Sequence, residues 1–354
     1  MDRHPACAAA PSPPADQIHL AGPGRLKRAV LLIALALAVG ALVPVFIGGS
    51  ALLPELRNLS LQVWLVAIGS VSAGWVINAS RLCLVLGGLG QRVGLPRAIS
   101  RIMAIEFATN ATPAGSGGAL AYVYLVGQCG VDNTQAAAMY ALDQALDLTF
   151  FLAALLIISP LLLAGPQELH VGWAVGVLLS LLIGGCTLLW LTVRDYRRVL
   201  LWAGRVLHRL HISASRRRQL ARWILRFRHG LTLLLGLARW RLGLVYLLCM
   251  GHWLLRYSVL YWIVRSLAEP VQWSYLFLIQ MISFGAGQAT LLPGGSGGVE
   301  VGIGALLAPW LPAATLAAAL LAWRFATYYW LLLAGAVPFA TLVGRRLWQD
   351  TPPT

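Results

Sequence analysis

Apolar positions in this chain come in long unbroken blocks, not at helical or alternating intervals. They run from Ala29 to about Ile47 and over roughly 61–89, 133–163, 171–193, 242–268 and 313–343. A block of about 20 apolar residues covers the hydrocarbon core of a bilayer as a helix. A helix with no polar face is stable only in lipid or inside protein. Six membrane-spanning helices are therefore expected. Two further apolar regions, 98–129 and 273–309, are broken in the middle by Pro and Gly. Each half holds only about 13 to 18 residues, mostly short for a crossing. The pattern predicts two re-entrant hairpins, each a broken helix with a glycine-rich tip. Irregular backbone at membrane depth is tolerated only where protein or a wet cavity covers it.

Composition supports lipid as the solvent. Charged residues make up 11% of the chain, against roughly a quarter in soluble proteins, and the mean hydropathy is +0.75. The net charge of +15 is useful mainly for where it falls, because cytoplasmic loops collect Arg and Lys. With the N-terminus inside, the cytoplasmic loop 90–97 carries Arg92 and Arg97, the segment 194–241 carries 13 arginines, and the tail carries Arg345 and Arg346. The outer links 164–171, 269–272 and 310–312 carry neither Arg nor Lys; Arg57, beside Glu55, is the exception. Six spans and two hairpins thus place both termini in the cytoplasm, in a multi-pass protein of the plasma (inner) membrane. Residues 1–24, rich in Pro and Ala, read as a disordered cytoplasmic tail. Residues 25–345 read as one transmembrane domain and 346–354 as a second tail. The first apolar run is longer than a signal-peptide core and lacks an A-x-A site, so it reads as a retained anchor.

The chain also repeats itself. Residues 113–118 read Pro-Ala-Gly-Ser-Gly-Gly and 293–298 read Pro-Gly-Gly-Ser-Gly-Gly, an offset of 293 − 113 = 180. At that offset Ala136-Ala137-Ala138 faces Leu316-Ala317-Ala318, and Gln144 faces Arg324. Repeat one (29–163) and repeat two (171–345) share the order span, span, broken hairpin, span, and the charge rule gives them opposite orientations. The fold class expected is therefore all-α, a polytopic helical bundle of two inverted repeats, an arrangement common in transporters.

Candidate chemistry lies at the tips and in charges at membrane depth. After Pro113 and Pro293, the residues Gly115, Ser116, Gly117 and Gly118, and Gly295, Ser296, Gly297 and Gly298, lead into new half-helices. Ser116 and Ser296 are candidate N-caps, and the bare N–H groups there suit an anion such as a phosphate head group. Charges inside a membrane are costly and usually face the bundle interior; they are Arg81, Glu106, Asp143, Asp147, Arg256, Glu300 and Arg324. Asp143 and Asp147, four apart, share a helix face. Glu300 falls in the first turn after its tip, where the helix dipole favours an acid. These placements predict acid–arginine pairs around a polar cavity. Unequal numbers of acids and bases suggest a proton shared by one acid. The segment 194–241 alternates Arg with Leu, Trp, Ile and Phe and reads as amphipathic helices on the inner leaflet. It has no nucleic-acid-binding motif. Lys27 is the only lysine, which excludes a P-loop ATPase. No metal site or cofactor is expected, and the five scattered cysteines include no CxxC.

Three patches resemble a known family, the flippase-like transmembrane region of lysylphosphatidylglycerol synthases and its stand-alone relatives. Pro293-Gly294-Gly295-Ser296-Gly297-Gly298-Val299-Glu300 is similar to its P-G-G-x-G-x-x-E signature. Trp323-Arg324-Phe325-Ala326-Thr327-Tyr328-Tyr329 resembles the arginine-plus-tyrosine helix that follows. Asp143-Gln144-Ala145-Leu146-Asp147 resembles its E-R-x-x-D helix, with Asp for Glu and Gln for Arg. At the first tip the family often has P-x-x-x-G-E-x-x-R; here Gly118 replaces the Glu and Ala121 the Arg. The resemblance implies movement of a phospholipid or lipid-linked anionic precursor between leaflets. With no synthase domain before Thr354, lysyl-lipid synthesis by this chain alone is not expected. The partners implied are membrane lipids with anionic head groups and a lipid- or glycan-modifying enzyme. Two other readings stay open: a membrane-embedded transferase using Glu300, Asp143 or Asp147 as base, and a non-catalytic accessory subunit.

Overall fold

The computed structural model describes residues 23–163, 213–267 and 271–344, with scattered positions between 176 and 194. All regular elements among them are helical. They are α1 (Pro23–Gly48), α2 (Leu52–Arg57), α3 (Leu61–Gly88), α4 (Leu95–Ala111), α5 (Ser116–Gly127), α6 (Asn133–Leu163), α7 (Ala214–Leu235), α8 (Arg239–Leu267), α9 (Trp273–Gly287), α10 (Gly298–Leu307), α11 (Ala313–Arg324) and α12 (Trp330–Phe339). A π-helical turn, Phe325–Tyr329, joins α11 to α12. Five stretches are long and apolar enough to cross a membrane: Ile33–Arg57, Leu61–Gly88, Asn133–Pro160, Arg239–Leu267 and Ala313–Val343. The protein is thus a multi-pass helical membrane protein. Five of the six expected spans are accounted for. The sixth, 171–193, lies largely outside the described residues, as do both tails and most of 194–212.

The broken regions break where Pro and Gly predict. Residues 98–129 become α4 and α5, and 273–309 become α9 and α10. At 1.5 Å per residue, the 12 residues of α5 extend ~18 Å and the 10 of α10 ~15 Å, short of a ~30 Å core. The offset of 180 carries through to element boundaries. Moved by 180, α3 (61–88) falls on α8, α4 on α9, α5 on α10, and α6 on α11 with α12.

Packing follows from this layout. The counterpart helices α3 and α8 run against each other at the centre, and α12 lies along α4 and α1 along α11. Each half-helix packs on its own partner, α4 on α5 and α9 on α10. Small residues permit the close approaches: Gly74 lies against His252, and Gly335 against the Met103 backbone. The arginine-rich α7 rests on α6, where Gly230 meets Ala138 and Gln135. Leu231 and Leu234 are buried there, while Arg218, Arg222 and Arg226 are exposed.

Candidate functional site

The two tips meet. The backbones of Pro113 and Pro293 pair as an isolated antiparallel bridge. Tyr328, in the π-helical turn, sits at the junction. Its hydroxyl is 3.2 Å from the Pro293 carbonyl and 3.4 Å from the Asn110 carbonyl at the end of α4, so it can donate to either tip. Gly294 turns with φ +64, and a side chain there would collide with the Tyr328 ring. A π-helical turn widens the helix by one residue and often marks a functional position; here it brings Tyr328 and Tyr329 under the second tip.

An ion pair locks that second tip. Arg324 Nε lies 2.6 Å from Glu300 Oε1, and Arg324 Nη2 donates to Glu300 Oε2 at 2.9 Å. Arg324 Nη1 donates to the Gly294 carbonyl at 3.2 Å, and the Gly297 amide donates to Glu300 Oε2 at 2.8 Å. The guanidinium also faces the rings of Trp323 and Tyr328. The two side chains are 2% and 0% exposed. A paired, hydrogen-bonded and ring-covered charge can remain buried where a lone one could not. Glu300 sits in the first turn of α10, as its sequence position implied.

The serines do not cap. Gly115 and Gly297 hold the N-cap positions. Buried Ser296 donates instead to the Pro293 carbonyl at 2.9 Å. At the first tip Thr112 Oγ1 accepts from the Gly117 amide at 2.8 Å, and Ser116 is exposed. Both expected N-caps are corrected for one reason. The helix starts are set by glycines with positive φ, +69 at Gly115 and +84 at Gly297, so the serine lies just inside or just before the cap. The first tip has no counterpart of the Glu300–Arg324 pair. Gln144 is exposed, unlike its offset partner Arg324, and Thr109 occupies the space where a side chain at Gly118 would stand.

A second set of charges lies between α3, α4, α6 and α8. Arg81 Nη2 reaches Asp143 Oδ1 at 3.1 Å and Asp147 Oδ1 at 3.4 Å. Tyr122 donates to Asp143 Oδ2 at 2.9 Å, and Trp253 Nε1 and Cys249 donate to Asp147 Oδ1 at 3.0 and 3.2 Å. Arg256 faces Glu106 at 3.6 Å and donates to the Thr327 carbonyl at 3.4 Å. Trp75 donates to Glu106 at 3.2 Å. Asn78 joins the two halves, its Oδ1 accepting from Arg81 at 3.1 Å and its Nδ2 donating to Glu106 at 3.3 Å. The side chains of Asp143, Asp147, Glu106 and Arg256 keep between 17% and 23% exposure. This network is therefore the accessible part of the charge set, whereas the lock at Arg324 is sealed.

Every acid and arginine singled out from the sequence has found a partner of opposite sign. The structure brings Pro113, Pro293, Gly294 and Tyr328 together at the tips, and Arg81, Asp143, Asp147, Glu106 and Arg256 into one network that reaches the Thr327 carbonyl, next to Tyr328, through Arg256. Sequence reasoning missed Asn78, Trp75, Tyr122 and Trp253. The first two had a signal, since Trp75, Asn78 and Arg81 recur every third residue on one helix face.

Among curated proteins no match to the chain is found. The family model for the lysylphosphatidylglycerol synthase TM region matches residues 32–335. That range takes in both tips, the sealed lock and the accessible network, and the chain belongs to this transmembrane family.

Proposed function

We propose that this protein is a lipid carrier. It moves a phospholipid or lipid-linked anionic precursor between leaflets by alternating access, without an ATPase of its own, in the plasma (inner) membrane with both termini cytoplasmic. The observation that carries this reading is the backbone contact between Pro113 and Pro293 beside an accessible charge network. Two half-helix tips meeting inside a helical bundle form a barrier that can part. The 180-residue offset, kept across four pairs of helices, supports two equivalent halves, which the charge rule orients oppositely. Inverted halves with broken helices at a central site are the architecture of alternating-access carriers.

In this reading the head group enters beside the network, and Arg256 is the cation that meets its phosphate. Arg256 holds Glu106 at 3.6 Å without a close fork, so it can turn to a stronger, bidentate acceptor. Arg324 is committed to Glu300 and keeps the second tip in shape until that tip moves.

Liposomes holding the protein and a fluorescent phospholipid test this. Wild type should equilibrate the label between leaflets, and Arg256→Ala should lose most of that rate while remaining folded. A Pro113→Cys/Pro293→Cys pair should form a disulfide, since bridge partners lie at about 4.5–5.5 Å between Cα atoms, within disulfide reach. The oxidised pair should arrest transfer and reduction should restore it. Undiminished transfer through oxidised tips would remove alternating access. Asp147 Oδ2 has no donor among the described residues, the one feature that favours a base in a membrane-embedded transferase. Product formation in detergent, where no leaflets exist, separates that activity from carriage.

A further inference from the structure

We propose that, in the carrier read above, Asp143 and Asp147 together hold one exchangeable proton. Among the described residues the charges in contact here do not balance. Arg81 and Arg256 supply two positive charges, and Asp143, Asp147 and Glu106 three negative ones. Glu106 is matched by Arg256. Asp143 and Asp147 are left with a single guanidinium, and both take the same nitrogen, Nη2. The Nε of Arg81, in a side chain only 7% exposed, has no acceptor. Arg81 thus forms no two-bond fork with either carboxylate, and it compensates one acid, not two.

Among the described residues, the titratable groups around the pair and its neighbours are these. From α3 there is Arg81; from α4, Glu106; from α5, Tyr122; from α6 itself, Tyr140; from α8, Cys249, His252, Arg256 and Tyr257. Of α7, Arg226 acts on Asp132 at the far end of α6. His252 lies between Arg81 and Arg256 and against Asn78, where a third positive charge would be repelled. A net negative charge in a low-dielectric bundle is costly, and two carboxylates on one site resist joint ionisation. Binding a proton removes the excess: an O–H bond forms on one carboxylate as a hydronium O–H breaks and leaves water, and Arg81 keeps the other carboxylate. Asp147 Oδ1 takes three donors and Asp143 is held by Arg81 and Tyr122. A metal cation would need more ligands than gather here; among the described residues no three His, Cys, Asp or Glu are arranged to hold one. The titration belongs to the pair, not to either residue alone.

The test is infrared difference spectroscopy on the full chain in nanodiscs, stepped through neutral pH and measured without any lipid-transfer readout. Expected is one protonated-carboxyl carbonyl band that titrates, shifts when aspartate carboxyls carry a heavy isotope, and disappears in Asp143→Asn and in Asp147→Asn but not in Glu300→Gln. Should the variants fail to fold, the isotope shift in wild type still assigns the band to aspartate. Absence of a titrating aspartate band, or its survival in both Asn variants, overturns the proposal. A titrating band in a protein that transfers no lipid would leave the proton site standing and remove the carrier reading; lipid transfer with no such band would do the reverse.

Discussion

Single side chains decide what this bundle can bury. Arg324 and Glu300 are both almost completely enclosed, and each accounts for the other: remove either and an uncompensated charge is left against Trp323, Tyr328 and Gly294. Glu300→Ala should therefore lower stability by about 3–5 kcal/mol, read as thermal unfolding in detergent. Glu300→Ala with Arg324→Ala should recover part of that loss, because no charge is then stranded. Recovery that fails to appear would mean the arginine is held by the rings and the Gly294 carbonyl alone. Tyr328 makes a smaller, separable contribution. Tyr328→Phe keeps the ring that Gly294 packs on and deletes only the hydroxyl that reaches both tips. Its cost should be about 0.5–1.5 kcal/mol in the same measurement.

At the scale of elements, the tips depend on backbone geometry more than on side-chain chemistry. Gly294 holds a positive φ where a methyl group would also strike Tyr328. Gly294→Ala combines left-handed strain, about 1–2 kcal/mol, with that collision. It should loosen the second tip enough to lower the yield of the 113–293 disulfide. Two non-glycine residues near the tips, Ala114 and Leu291, have positive φ as well, a strain that persists only where surroundings impose it. Much of this level was legible in the chain. Block length marked the five spans described, Pro and Gly marked the breaks, and the repeated hexapeptide marked the two turns that touch. The i, i+4 spacing of Asp143 and Asp147 put both on one face, and both do reach Arg81. What could not be read was the register of helix starts. Whether Ser116 or Gly115 caps depends on one dihedral angle, which sequence does not state when neighbouring residues are all turn formers. The π-helical turn was equally hidden, because Phe325–Tyr329 fits an ordinary helix just as well.

At the scale of the molecule, the described residues include a sealed ion pair behind one tip, an accessible charge network along the central helices and an exposed arginine face on α7. The α7 face invites a direct check. Arg218, Arg222 and Arg226 are exposed at four-residue intervals on α7, and each should contribute about 1 kcal/mol of attraction to an anionic leaflet. The triple Gln variant, reconstituted into vesicles of rising anionic-lipid content, should lose a salt-sensitive component of lipid association that wild type should show. An unchanged salt response would mean that face meets something other than lipid. The meeting of Pro113 with Pro293 also bears on how such a protein can drift over generations. Peptide groups are common to all residues, so this contact tolerates many replacements yet no change in spacing. Adding or deleting one residue in either turn would slide the two chains out of step and turn every following side chain of α5 or α10 to a new azimuth. Length is thus a trait that selection must guard there beside the positive-φ glycines, and a library built to retune the barrier should keep both Gly294 and the count of residues untouched.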